Sequence, residues 1–129
     1  MKTYYHCSYN LTFNLLLVTK ERKDCFTEEI CQRLKEIIEK LCEESEIDLL
    51  AFYGRDFCIE MDLSFNPNIM PSKFINSLKT VTSRLIRKEF SQHLDKFYNK
   101  PVLWSRGYCL ISTGSHAEIT DQYLKKQDF

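Results

Sequence analysis

The chain has 129 residues, of which 43% are hydrophobic and 28% charged, a composition that excludes a disordered chain and predicts a single domain over residues 1–129. The 18 basic and 18 acidic residues give a formal net charge of zero, so nucleic-acid binding would require a local concentration of basic residues. No apolar run near the N-terminus is long enough to cross a bilayer, which predicts a cytoplasmic protein without a membrane partner.

Residues 11–54 predict a strand, a helix and a second strand. The segment LTFNLLLVT (11–19) is apolar without clean alternation, which is typical of a central strand covered at least partly on both faces. Thr27 can cap a helix, and apolar residues at helical spacing then predict an amphipathic helix over about 27–44. The segment IDLLAFYG (47–54) predicts the next strand.

Residues 56–63 alternate between apolar and polar side chains, the pattern of a half-buried strand. The apolar positions are Phe57, Ile59, Met61 and Leu63. The polar positions are Asp56, Cys58, Glu60 and Asp62. We expect this strand to form a hairpin with residues 47–54. Its acidic face is open to two interpretations, a metal site or a solvated surface.

The remainder of the chain predicts two more helices and further strand. Pro71 begins a second helix, and Asn66 and Pro67 end the preceding strand. Residues 91–101 are predicted to be the end of that helix and a loop, and residues 102–113 a strand or strand pair with a bulge or close approach at Gly107. A short last helix is predicted over roughly 117–126.

The order strand, helix, strand, strand, helix, strand is that of the split βαβ motif. It predicts an α+β, ferredoxin-like fold: an antiparallel sheet with helices on one face, plus a C-terminal helix. The second face of the sheet is expected to be open and available for nucleic acid, a partner subunit or an active site. The fold alone does not choose among these.

Basic and hydroxyl side chains are concentrated on the second predicted helix, where they could contact phosphates. The segment WSRGY that follows adds an aromatic residue that could stack on a base beside a cation. The candidate DNA-binding residues are Lys73, Lys79, Arg84, Arg87, Lys88, Trp104 and Arg106. A solvated helix face and a core tryptophan are the alternatives for this set.

The last predicted helix places Tyr123 and Gln127 one turn apart on one face. A tyrosine hydroxyl can act as a nucleophile, and a glutamine amide oxygen can bind a hard metal ion. A packing role is the alternative for a tyrosine at this position.

Together these segments resemble the single-tyrosine HUH transposases, which move insertion sequences as single-stranded DNA. The matching text is LLLVTKERKDCFTEEICQRLKEI (15–37), SKFINSLKTVTSRLIRKEF (72–90), LWSRGYCLIST (103–113) and the Tyr-x-x-x-Gln of the last helix. The similarity covers roughly residues 8–127, in the order and spacing of the family.

The resemblance implies a homodimer with the ferredoxin-like fold that binds imperfect single-stranded DNA hairpins. It implies that a tyrosine attacks a phosphodiester and forms a 5′-phosphotyrosine, while Mg²⁺ or Mn²⁺ polarises the scissile phosphate. By motif position Tyr123 matches the nucleophile and Gln127 the third metal ligand. The tyrosine of one subunit can complete the site of its partner.

The chain departs from the family where two histidines of a His-hydrophobe-His motif bind the metal, because no histidine lies between Cys7 and Gln92. Two registers are open. One places Phe57 and Ile59 at the histidine positions and leaves no metal site. The other places Asp56 and Cys58 there, and the period-two alternation favours it. Glu60 could substitute for the soft Cys58 thiol, so the candidate metal ligands are Asp56, Cys58, Glu60 and Gln127.

The sequence therefore predicts a transposase that cleaves and rejoins single-stranded DNA through Tyr123, with an altered metal site. A catalytically inactive member that acts as a DNA-binding dimer is the alternative. A dimeric small-molecule binder of the same fold is a third hypothesis, and no glycine-rich phosphate loop supports it.

Overall fold

The computed structural model describes residues 2–4, 7–9 and 11–112, with side chains described for residues 11–112. The strands are β1 (Lys2–Tyr4), β2 (Cys7–Tyr9), β3 (Leu11–Val18), β4 (Asp48–Gly54), β5 (Cys58–Phe65) and β6 (Cys109–Ser112). The helices are α1 (Glu28–Glu44), α2 (Pro71–Glu89) and α3 (Ser91–Leu94), with a 3₁₀ turn at Lys20–Arg22. The predicted helix 117–126, with Tyr123 and Gln127, lies outside the described residues.

Strands β3 to β6 form one antiparallel sheet in the order β4-β5-β3-β6. This order, with α1 and α2 between the strands in sequence, confirms the predicted α+β, ferredoxin-like fold. A separate two-stranded hairpin of β1 and β2 was not predicted. None of the helices in the described ranges combines the length and hydrophobicity that a bilayer crossing requires.

The main core lies between α1, α2 and one face of the sheet. Leu15 and Leu17 of β3 point into it with Ile59 and Met61 of β5, and all four are fully buried. Helix α1 begins as predicted, because the Thr27 hydroxyl accepts the backbone N–H of Ile30 at 3.2 Å. The predicted central strand is confirmed, since β3 pairs with β5 on one side and β6 on the other.

The second face of the sheet is not open at the end near Cys58. Leu16, Val18 and Cys58 are at most 1% exposed, and Cys109 is 7% exposed. These residues form a second apolar cluster that is separate from the helix-side core. The prediction of an open face was therefore wrong for this end of the sheet, where burial of apolar side chains is favourable.

The predicted strand over residues 102–113 is shorter in the structure. Only Cys109–Ser112 forms β6, and residues 102–108 run as a loop that touches β3 at one isolated bridge, Thr19 with Trp104. Two backbone hydrogen bonds fix this loop, from Lys20 N–H to the Leu103 carbonyl and from Ser105 N–H to the Val18 carbonyl, both 2.8 Å. The loop therefore runs across the end of β3 instead of pairing along it.

Candidate nucleic-acid interface

Helix α2 presents a polar stripe to solvent along its whole length. Lys73, Arg84 and Lys88 are exposed on it at helical spacing. Asn76, Ser77 and Thr80 are also exposed between these cations. The opposite side of α2 is buried in the core, which fixes the direction of this stripe. Three of the predicted DNA-binding residues are thus on one accessible surface of charge and hydroxyl groups.

Lys79 has a structural role. Its ammonium donates hydrogen bonds to the carbonyls of Ser105 and Arg106, each at 2.9 Å, and so ties the loop of residues 101–106 to α2. Partial burial lowers the pKa of Lys79. Both hydrogen bonds are to backbone carbonyls, so the ammonium positions the loop that carries Arg106.

Trp104 lies in the core. It is 8% exposed, its ring meets Phe26 edge to face at 5.5 Å, and its indole N–H donates to the Thr82 hydroxyl at 2.9 Å. A buried tryptophan usually needs such a partner for its N–H. In this position the indole offers no face for stacking on a base.

Arg87 is also engaged inside the protein. Its guanidinium donates to the Asp95 carboxylate at 2.9 Å, and its side chain is only 13% exposed. Arg87 therefore lies on the inner flank of α2, three residues from the exposed Arg84. The two arginines have different environments although the sequence gives them the same role.

A surface groove of about 330 Å³ lies between α2 and the loop of residues 101–106, and we call it the α2 groove. Lys79, Thr80 and Ser83 line its helix side. The loop side includes Trp104 and ends in Arg106, which is exposed. Of the predicted cations, Lys79 and Arg106 line the groove, while Lys73, Arg84 and Lys88 lie on the exposed stripe of the same helix.

The predicted metal-site strand begins later than the sequence pattern indicated. Strand β5 begins at Cys58, because Arg55 N–H bonds to the Cys58 carbonyl at 2.9 Å and leaves Asp56 and Phe57 as a two-residue turn. Phe57 packs against the second cluster, on the same face as Cys58. The expectation that Phe57 shares a face with Ile59 was wrong, because the pleat does not extend through the turn.

Within β5 the pleat joins Cys58 and Glu60 on one face, with Ile59 between them in the main core. Glu60 is partly buried, and its carboxylate lies 3.7 Å from the Arg55 guanidinium. Asp56 is exposed in the turn. The structure therefore brings together Cys58 and Glu60 among the predicted ligands, while Gln127 and the predicted nucleophile Tyr123 lie outside the described residues.

The residues at this position do not fit a Mg²⁺ or Mn²⁺ ion. Burial is the main cause that raises the pKa of the Cys58 thiol to about 11, so the sulfur stays protonated near neutral pH. A thiol is also a soft ligand for a hard cation. Glu60 is the carboxylate next to Cys58 on this face, and the described part of the chain contains no cluster of three His, Cys, Asp or Glu side chains that could hold a metal.

Two arginines near this position were missed by the sequence analysis. Arg22 places its guanidinium 4.6 Å from the centre of the Phe57 ring, and Arg55 is the partner of Glu60. Neither residue lies in a periodic pattern. The 3₁₀ turn and the hairpin turn bring them to the start of β5.

Comparison with known proteins settles the family. A sequence model of the family described as IS200-like transposase matches residues 7–127. The chain belongs to the IS200-like transposase family. This confirms the resemblance to single-tyrosine transposases that the sequence motifs indicated.

Two curated relatives of this IS200-like chain cover almost all of it. The transposase for insertion sequence element IS200 of Salmonella typhimurium is 26% identical over 126 residues, which span 98% of this chain and 82% of the relative. The ISDra2 transposase TnpA of Deinococcus radiodurans is 22% identical over 121 residues, which span 92% and 85%.

Solved structures agree on the fold. A Deinococcus radiodurans protein provisionally assigned as a transposase superposes with a TM-score of 0.88 at 23% identity, over 98% of both chains. A REP-associated tyrosine transposase bound to a REP hairpin superposes with a TM-score of 0.57 at 12% identity, over 95% of this chain and 68% of that one. At these identities the likeness establishes the shared fold.

Proposed function

We propose that this IS200-like transposase binds single-stranded DNA hairpins at the α2 groove and cleaves and rejoins the strand through Tyr123. The observation that carries the binding is that helix α2 supplies both the exposed cations Lys73, Arg84 and Lys88 and one wall of a groove that ends in the exposed Arg106. A surface of this kind binds the phosphate backbone irrespective of base sequence. The hairpin bound by the REP-associated relative supports DNA of this shape as the partner.

In the proposed reaction the Tyr123 hydroxyl oxygen attacks the scissile phosphorus after losing its proton to a base. A phosphorus–oxygen bond to Tyr123 forms, and the bond to the 3′ oxygen breaks. The leaving 3′ oxygen takes a proton and becomes a free hydroxyl. Rejoining is the reverse attack by a 3′-hydroxyl, which frees the tyrosine.

The altered metal site offers few ligands that suit a hard cation. Family members use Mg²⁺ or Mn²⁺, whereas here Cys58 is a buried, protonated thiol and Asp56 stands in the turn. Oxygen donors at the site would have to come from Glu60 and from Gln127. We therefore assign no step of the reaction to a bound metal.

The test is a covalent-adduct assay. Purified protein is incubated with single-stranded DNA from the sequence flanking its gene, with Mg²⁺, Mn²⁺ or EDTA, and run on a denaturing gel. A band of protein linked to DNA that disappears in Tyr123→Phe is the expected result. Tyr108→Phe is the matched control, because it removes a hydroxyl from a tyrosine outside the proposed nucleophile.

A second function is DNA binding by a catalytically inactive dimer, and the state of Cys58 favours it. A site that offers a protonated thiol in place of a metal ligand supplies less transition-state stabilisation than a metal centre. Hairpin binding with no adduct under any of the three conditions would establish this function and overturn cleavage through Tyr123. Size-exclusion chromatography with light scattering tests the proposed homodimer.

A further inference from the structure

Two guanidinium groups flank the start of β5, at the position where relatives of this family are expected to hold a cation. Arg22 lies over the Phe57 ring at 4.6 Å from its centre, and Arg55 Nη2 lies 3.7 Å from Glu60 Oε1. Phe57 and Glu60 lie on either side of Cys58 on the same side of the sheet. The start of β5 is therefore supplied with positive charge by protein side chains.

The backbone that carries Arg22 is held in an uncommon conformation. Glu21 and Arg22 have φ values of 58° and 55°, a left-handed region that costs free energy for residues with a Cβ. Hydrogen bonds hold the ends of this turn: the Thr19 hydroxyl donates to the Lys23 carbonyl and the Tyr98 hydroxyl donates to the Lys20 carbonyl, each at 2.8 Å. Strained residues that are held so firmly cluster at functional sites.

The Arg55 guanidinium is only loosely paired. At 3.7 Å its contact with Glu60 is longer than a hydrogen bond, and in the described ranges its guanidinium makes no shorter polar contact. The Arg55 side chain is 52% exposed. It is accordingly able to turn toward an incoming anion without breaking a hydrogen bond.

Charged groups of both signs act on Cys58. Arg55 and Arg22 lower the thiol pKa and Glu60 and Cys31 raise it, against the larger effect of burial. Asp56 and Glu21 are exposed acids in the two turns, and Asp56 raises the pKa of Cys31. Two cations and one carboxylate thus face this position from the elements that surround it.

An exposed aromatic ring adjoins the same position. Tyr53 of β4 lies directly opposite Glu60 of β5, so the two side chains share a face, and Tyr53 is 61% exposed. Exposed aromatic rings beside cations are the platforms on which single-stranded bases stack. A phosphate at the arginines would place a neighbouring base within reach of this ring.

We propose that Arg22 and Arg55 together bind a backbone phosphate of single-stranded DNA beside Glu60, with a neighbouring base stacked on Tyr53, and that this contact needs no divalent cation. The inference rests on the proposed function, since it assigns the single-stranded part of the same DNA ligand. The hairpin itself is assigned to the α2 groove.

The test compares two labelled oligonucleotides by fluorescence anisotropy over a series of salt concentrations in EDTA. One is a hairpin alone, and the other is the same hairpin with single-stranded extensions on both sides. The extended oligonucleotide should bind wild-type protein more tightly, in EDTA as well as in Mg²⁺. The double variant Arg22→Gln, Arg55→Gln should lower the salt slope of the extended oligonucleotide by about 0.7, the value for one single-strand phosphate contact. Each single variant should lower the slope by part of that amount, and all three should leave binding of the hairpin alone unchanged.

Matched variants separate this contact from a general loss of charge or fold. Lys40→Gln removes one exposed positive charge from α1 and should behave as wild type. Arg22→Lys and Arg55→Lys should restore most of the slope, because they keep the charge. Tyr53→Ala should weaken binding of the extended oligonucleotide about tenfold. Arg55→Gln keeps the test valid if Arg22→Gln proves unstable in a thermal melt.

Two results would overturn the inference and leave hairpin binding intact. The first is that the extended oligonucleotide still binds more tightly than the hairpin alone, by the wild-type factor, in both glutamine variants. The second is that this gain in affinity disappears in EDTA for the wild-type protein and returns with Mg²⁺ or Mn²⁺. Failure to bind either oligonucleotide would instead overturn the proposed function, and this inference with it.

Discussion

The α2 groove and the start of β5 differ in how well residue type alone predicts which side chains could contact DNA. On α2 and the loop beside the groove, seven residues were predicted to contact DNA, and their burial separates them into two groups. Lys73, Arg84, Lys88 and Arg106 are exposed, while Lys79, Arg87 and Trp104 are engaged within the protein. At the start of β5 the expected metal ligands are missing. There the charged residues that matter, Arg22 and Arg55, come from turns that the sequence pattern did not single out.

The difference shows that composition predicts a candidate DNA-binding surface but not the role of each residue on it. Lys79, Arg87 and Trp104 act on the fold, because each fills a hydrogen-bonding or packing need of the core or of the neighbouring loop. At the start of β5, where the family motif is absent, the proposed phosphate contact comes from residues that are distant in sequence. The following predictions separate the two kinds of role.

The largest expected effect is on stability, from Trp104→Ala. Removal of this ring from its contact with Phe26 should lower the free energy of unfolding by about 3–5 kcal/mol, the usual range for a buried large aromatic side chain. Denaturant unfolding measures it. Trp104→Phe keeps most of the apolar area but cannot donate a hydrogen bond to Thr82. Its free energy of unfolding should therefore fall by only about 1 kcal/mol. If the alanine variant instead unfolds like the wild type and binds DNA poorly, Trp104 is a base-stacking residue.

Lys79→Met should have the next largest effect. The variant keeps the apolar stem and loses two charge-assisted hydrogen bonds to the carbonyls of Ser105 and Arg106, so we expect a loss of roughly 2 kcal/mol in the free energy of unfolding. Because the loop carries Arg106, hairpin affinity should fall as well. Lys73→Met is the matched control, since this exposed lysine should cost affinity and no stability. Equal unfolding curves for the two variants would contradict the structural role of Lys79.

Most of the fold could be predicted from the sequence because its signals are local. The Thr27 cap, the helical spacing in α1 and the Pro71 start of α2 each depend on a few neighbouring residues, and all three hold. The arrangement of strands in the sheet followed from the split βαβ order of elements along the chain. The shortening of β6 could not be predicted, because the hydrogen bonds that hold residues 102–108 as a loop come from residues more than eighty positions away, at Val18 and Lys20.

The candidate site was less accessible to sequence reasoning, for the same physical cause. Period-two alternation holds only within a paired strand, and the turn at Asp56 and Phe57 interrupts it just before Cys58. The position of Arg22 depends on two left-handed residues without glycine, for which the sequence gives no signal. Tyr123 and Gln127 stay predictions from the family motif.

The pH dependence of stability should report the buried thiol at the start of β5. The pKa of Cys58 is raised from about 9 to about 11, so between these pH values the unfolded chain has lost a proton that the folded protein keeps. The contribution of this thiol to the free energy of unfolding is therefore fully present below pH 9 and is lost as the pH rises through 11. Cys58→Ala should flatten the decline in the free energy of unfolding over this range, measured by denaturant titration at each pH. An unchanged decline would show that Cys58 ionises as easily in the folded protein.

The smallest expected effect is on the salt dependence of hairpin binding, and it uses two arginines of one helix. Arg84→Gln removes an exposed cation of the α2 stripe, so the slope of log affinity against log salt should fall by roughly 0.7 to 0.9, the value for one phosphate contact. Arg87→Gln makes the same chemical change three residues away, where the guanidinium is bound to Asp95, and should leave that slope at its wild-type value. Fluorescence anisotropy with a labelled hairpin measures both. If the two variants lose the same slope, Arg87 leaves Asp95 to contact DNA, and the division of the groove into exposed and structural residues fails at this position.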